Sequence, residues 1–165
     1  MKTDLKLSQL VSQLDYISTL KKDYLISTDD LSVHSNTAES CIDIQGSTYV
    51  MQETARRQLS ALCGIPYSYV KRIGKEYPEL LDANYNELLS DIHKKKLVRT
   101  IGGRVRAILS DHYRKCENEV VLGTLLSLLD DIKGLTVVST SLTTEKMYVK
   151  VISEVEKADV KVGDT

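Results

Sequence analysis

Arg99, Arg104 and Arg106 lie on both sides of the Gly102-Gly103 pair, and Lys94, Lys95, Lys96, Arg114 and Lys115 flank them. Over residues 94–115 only Asp111 opposes these cations, in a chain whose formal net charge is -1, so the remaining residues are acidic and charge is segregated along the sequence. The chemistry open to such a cluster is anion binding. A guanidinium offers a planar fork of donors that matches phosphate or carboxylate oxygens, and an ammonium adds an adaptable point charge.

Geometry sharpens that reading. LVRTI-GG-RVRAILS predicts a hairpin, because Gly-Gly accepts the positive φ angles of a two-residue turn. Ile101 would then pair with Arg104, Arg99 with Arg106, Val98 with Ala107 and Leu97 with Ile108. Side chains alternate across a strand. Leu97, Arg99, Ile101, Arg104, Arg106 and Ile108 fall on one face, and Val98, Thr100, Val105 and Ala107 on the other, which suits a core. Facing guanidiniums repel unless an anion compensates. Two readings follow. Either Asp and Glu from the acidic remainder neutralise the arginines internally, or phosphates do. In the second case the interleaved apolar residues and Tyr113 form a stacking platform for single-stranded nucleic acid, with Lys94, Lys95, Lys96 and Arg114 extending the track. The lysine run has its own alternative, as a complement to a helix C-terminus, and Tyr113 as a half-buried anchor.

Other chemistry finds little footing. His34, His93 and His112 lie in separate segments without ligand spacing, so no metal is expected. No nucleophile-base pair, carboxylate cluster or phosphate-cradling loop stands out, so neither enzyme nor cofactor is expected. Cys41, Cys63 and Cys116 are odd in number and far apart, as free thiols in a reducing compartment are. The N-terminus has no signal-peptide pattern, and no apolar run is long enough for a membrane span, so a cytoplasmic protein is expected.

The elements that must position the cations are those of an α+β chain. At 165 residues, with 42% hydrophobic and 27% charged residues, one domain with a real core is expected. Phe and Trp are absent and Tyr numbers nine, so the core falls to aliphatic side chains. Leu7, Leu10, Val11, Leu14, Ile17 and Leu20 predict an amphipathic helix over residues 4–22. LSVHS, SCIDI and STYVM predict a small meander with a turn at Gln45-Gly46. Helices follow from Glu53 to Cys63, closed by Gly64, from Pro66 to Ile73, and from Pro78 through PELLDANYNELLSDIHKK. After the glycine hairpin come a helix over ENEVVLGTLLSLLDD and a second hairpin from LTVVSTSL and KMYVKVISEV. The second half reads ββαββ, an antiparallel unit. The polar ending EVEKADVKVGDT, without a finishing element, reads as the edge of a longer protein.

Two stretches, ARRQLSALCGIPYSY (Ala55 to Tyr69) and RAILSDHY (Arg106 to Tyr113), resemble the phage- and plasmid-like proteins of unknown function found on prophages and mobile elements. Arg99, in LVRT, also falls where that family places an arginine. The resemblance spans roughly residues 30 to 150. RKCENE departs from the Pro-Leu-Asp-Asn-like run usual after the tyrosine, and the chain stops before the family's C-terminal half. A basic β-hairpin with a helix is similar in fold to phage single-strand annealing proteins of the Rad52-like type. The resemblance implies a bacterial host cell, a nucleic-acid partner, single-stranded DNA foremost, a homo-oligomer, and work in recombination or replication. The alternative is an interaction protein that docks an acidic host or phage protein on the same face, and a third class is an enzyme whose catalytic half lies elsewhere.

Overall fold

The computed structural model describes residues 5–36, 39–143 and 146–153. The order is α1 (Leu7–Leu20), β1 (Lys21–Ser27), a 3-10 turn (Thr28–Asp30), β2 (Leu31–Asn36), β3 (Glu39–Ile44), β4 (Ser47–Met51), α2 (Glu53–Leu62), α3 (Tyr67–Glu76), α4 (Pro78–Ser90), β5 (Lys95–Ile101), β6 (Arg104–Ser110), α5 (Asn118–Asp131), β7 (Leu135–Leu142) and β8 (Met147–Ser153). The class is α+β. The chain divides into two compact units, one drawn from the described parts of Met1–Thr19 and Lys115–Thr165, the other from Leu20–Arg114.

The central unit is a six-stranded sheet in the order β1-β5-β6-β4-β3-β2. All pairs are antiparallel except β4 with β6. The meander forms as its sequence predicts, with Gln45 and Gly46 at φ 50 and 78 in the turn between β3 and β4. Alternation puts Ile26, Val33, Ile42, Ile44, Met51, Val98, Val105 and Ile108 on one face, where Ala55, Leu59, Val70, Ile73, Leu81, Tyr85 and Leu89 from α2, α3 and α4 close the core over them. Glycine and proline punctuate these helices as expected, but α3 runs past the expected Ile73 to Glu76 and α4 stops at Ser90, short of the expected His93-Lys94-Lys95. Gly64 takes φ 68 after α2, and Pro66 and Pro78 open the next two.

Helix α4 also completes strand β2. Asn86 accepts from the Val33 amide at 2.7 Å and donates to the Val33 carbonyl at 2.9 Å, while Asp82 takes the Ser35 amide at 2.6 Å and the Ser35 hydroxyl at 3.0 Å. Backbone groups that β3 does not use are thus satisfied by side chains.

In the other unit, β7 and β8 pair as a two-stranded sheet, and Leu10, Leu14 and Leu122 form a small core with Leu7, Val11, Leu126, Leu142, Met147 and Val149. The order ββαββ is therefore present, but its two hairpins belong to different sheets: β5–β6 joins β1 and β4, and β7–β8 pairs only with itself among the described residues, apart from a bridge from Leu5 to Thr140. The expected helix over 4–22 ends at Leu20. Lys21 and Lys22 begin β1, because Tyr24 and Ile26 alternate onto the core face opposite Val98 and Lys96 of β5. The polar C-terminal run lies outside the described residues.

Candidate nucleic-acid interface

The hairpin forms on the expected turn. Gly102 and Gly103 take φ 53 and 78, and Ile101 pairs with Arg104. The regular register holds through Thr100 and Val105 and departs after them. Thr100 faces Val105 and Arg99 faces Ala107, so Arg106 is an extra residue in a bulge, and Val98 comes opposite Ile108, Leu97 opposite Leu109 and Lys96 opposite Ser110. The bulge has a packing reason. It lets Val105 and Ile108, three residues apart, both enter the core at 0% and 5% exposure. Ile108 accordingly leaves the arginine face, and Arg99 and Arg106 do not oppose each other.

Arg99 is 3% exposed, and its Nε donates to Asp23 Oδ1 at 2.9 Å from the directly paired position on β1. The internal ion pair is thus the reading that holds for Arg99, and it leaves the set of side chains an outside ligand could reach. Arg104 lies beside the turn, where Nη2 approaches Glu39 Oε1 at 3.6 Å between two half-exposed side chains. Such a surface pair is weak and open to competition. Arg106 is half-buried, and no ion pair engages it among the described residues.

The other end of the hairpin collects the remaining candidates. Lys94, which precedes β5, and Lys95 are exposed, and Lys96 is half-buried. Lys95 and Lys96 are strand residues rather than the tail of a helix, since α4 stops at Ser90. Their position is set by a clamp that the sequence did not disclose. The fully buried Thr28 donates its amide to the Lys94 carbonyl at 2.9 Å, and its hydroxyl accepts the Lys94 amide at 3.1 Å. His93, at φ 48, places Nδ1 2.7 Å from Asp29. The Ser27 hydroxyl, with His93, holds the Asp29 carboxyl below its ordinary range despite slight desolvation.

Opposite Lys96 stands Ser110, after which the chain turns, with the Tyr113 amide donating to the Ser110 carbonyl at 3.0 Å. Tyr113, 44% exposed, and Arg114, also exposed, follow directly. No ion pair engages Lys94, Lys95, Lys96 or Arg114 among the described residues. Asp111 is the acid in this turn. Slight burial pushes its carboxyl up, but the Ser110 hydroxyl and His112 outweigh that and keep it below the usual range, hence ionised at neutral pH. The structure therefore splits the predicted track: Arg104 is at the turn, Arg99 is buried in the middle, and Lys94, Lys95, Lys96, Tyr113 and Arg114 share the open end.

Among the described residues no group of His, Cys, Asp and Glu is placed to hold a metal ion, and no helix is long and apolar enough to cross a membrane. All three cysteines are free thiols, with Cys41 and Cys63 buried and Cys116 exposed. Comparison with protein-family models, with curated proteins and with solved structures finds no match.

Proposed function

We propose that this chain is a non-enzymatic nucleic-acid-binding module that takes single strands at the open end of the β5–β6 hairpin. Lys94, Lys95, Lys96 and Arg114 hold phosphates there, and Tyr113 stacks on a base. The observation that carries this reading is a set of cations with no ion-pair partner among the described residues, Lys94, Lys95 and Arg114 exposed and Lys96 half-buried, at the hairpin end that also carries the exposed Tyr113, with Lys94 held by the Thr28 backbone clamp. Charge without an internal partner is free for an outside anion, and an aromatic face beside it serves every base alike. Arg104 and Arg106 add to the field from the turn side. The resemblance of Ala55–Tyr69 and Arg106–Tyr113 to phage- and plasmid-like proteins supports a role on a mobile element, in recombination or replication.

Fluorescence anisotropy with labelled oligonucleotides tests the proposal. Four phosphate contacts on a single strand give a slope of log K against log salt near 0.7 times 4 with negative sign, roughly -3. The Lys94→Gln, Lys95→Gln, Arg114→Gln triple variant flattens that slope by about 2 and weakens all sequences alike. Tyr113→Ala costs ~1–3 kcal/mol of binding with the slope unchanged. An acidic polypeptide that displaces the strand at equal charge concentration favours a protein partner instead. Absence of oligonucleotide binding by the wild type at low salt removes the proposal.

A further inference from the structure

A second concentration of positive charge lies on the helical layer, away from every residue assigned above. Arg57 from α2 and Lys71 from α3 converge on the ring of Tyr67, with the Arg57 Cζ 4.4 Å and the Lys71 Nζ 5.4 Å from its centre. Cations over an aromatic face are held in place yet keep their charge and outward donors. Glu53 is the acid they share. Its Oε1 accepts Arg57 Nη2 at 2.6 Å and Nε at 3.1 Å. The hydrogen bond from Arg57, then its charge and those of Lys71 and Arg56, hold the Glu53 carboxyl below its ordinary range, so three cations bear on this one carboxylate. Arg56 Nε, on the same helix as Arg57, and the hydroxyl of Tyr85, a side chain 2% exposed, are buried without any hydrogen-bond partner among the described residues. Buried polar atoms without partners are rare enough to call for an explanation.

We infer that Arg56, Arg57 and Lys71 form a binding site for a phosphate group, seated beside Tyr67 between α2 and α3. Three cations against one carboxylate leave two positive charges, which match a phosphate monoester's charge of about -1.5 to -2 at neutral pH. A second carboxylate would fit less well. Arg57 already spends Nε and Nη2 on Glu53, so the donors left over come from separate helices, and a tetrahedral oxyanion reaches them in several directions at once. The phosphate also supplies an acceptor to which Arg56 turns. This site stands on residues unconnected with the hairpin end, so either can fail without the other.

The test uses side-chain Nε–H NMR signals of Arg56 and Arg57 during titration with inorganic phosphate, against chloride at equal ionic strength. The expected result is a saturable shift of both signals, unchanged in the Lys94→Gln, Lys95→Gln, Arg114→Gln variant. Arg57→Gln with Lys71→Gln weakens phosphate binding, read for that variant from the Arg56 signal, about tenfold or more, and Glu53→Gln, which removes the competing carboxylate, tightens it severalfold. Lys71→Gln alone, at an exposed position, gives a smaller loss in the same direction and answers the question if the double variant does not fold. Displacement of phosphate by a single-stranded oligonucleotide identifies a strand as the source of the phosphate; displacement by a nucleoside monophosphate but not by the strand identifies a small phosphorylated molecule. A drift that does not saturate, equal binding by the Lys71→Gln variant, or loosening in Glu53→Gln overturns the site.

Discussion

Replacing Arg99 by Met leaves the Asp23 carboxylate, whose side chain is 19% exposed, without the guanidinium that stands 2.9 Å away at the paired position of the neighbouring strand. Removing one partner of a buried ion pair costs ~3–5 kcal/mol, because the other charge stays desolvated without it. Asp23 keeps some water, which places this pair at the lower end, about 3 kcal/mol. In urea, with m about 1–3 kcal/mol per molar, the unfolding midpoint falls by roughly 1–3 M while m itself holds. Asp23→Leu with Arg99→Met restores most of the loss, since apolar replacement of both partners is close to neutral, and the double-mutant cycle gives a coupling of about 2 kcal/mol or more. The assay is equilibrium unfolding by circular dichroism beside anisotropy with single-stranded oligonucleotides. A loss of stability below about 1 kcal/mol together with a clear loss of strand affinity refutes the argument, for it means that Arg99 meets an outside anion and not Asp23.

Gly102→Val and Gly103→Val each cost ~1–2 kcal/mol, read by thermal unfolding; an added Cβ at either position meets nothing within 4 Å, so the cost is conformational and relief of crowding elsewhere does not recover it. Native-state labelling with a thiol reagent modifies Cys116 first. Burial pushes the Cys63 thiol up to about 11, and Cys63 and the buried Cys41 react only as the protein unfolds, so rapid labelling of all three contradicts the packing described. The Glu53 carboxyl is depressed, so its contribution is complete above the ordinary value of 4.5 and is lost as pH falls below it; Glu53→Gln therefore gives a shallower fall in Tm between pH 5 and 3 than the wild type.

The elements most legible in the sequence were those with local punctuation. Gly64, Pro66, Pro78 and the Gly102-Gly103 pair each impose a backbone state that few other residues accept, and the helices and turn around them lie where those residues put them. Strand β1 was illegible because KKDYLIS carries three charges and an exposed Leu25, so its hydrophobic alternation shows only at Tyr24 and Ile26, and only pairing with β5 makes it a strand. The bulge was within reach. Val105 and Ile108 cannot share a face in a regular strand, and their three-residue spacing was the one sign that Arg106 would be extra. Arg99's partner has no local signal, since Asp23 lies 76 residues away in strand β1. The candidate site fared likewise: residue types pointed to the lysines and Tyr113, but the Thr28 clamp that positions Lys94 depends on a contact 66 residues long that no local pattern encodes.

The side chains of α4 that complete β2 also limit how this protein can aggregate. Edge-to-edge growth of sheets into an open-ended fibre needs two accepting edges on every molecule, one to attach by and one to present to the next. Asn86 and Asp82 occupy the amide and carbonyl groups that a foreign strand would need at Val33 and Ser35. Among the described strands of the six-stranded sheet, that leaves β1 as the edge a second molecule could add to, and two molecules meeting there use it up. Polymerisation through this sheet stops at a pair, and Asn86→Leu with Asp82→Leu is the change that would let a chain of molecules continue.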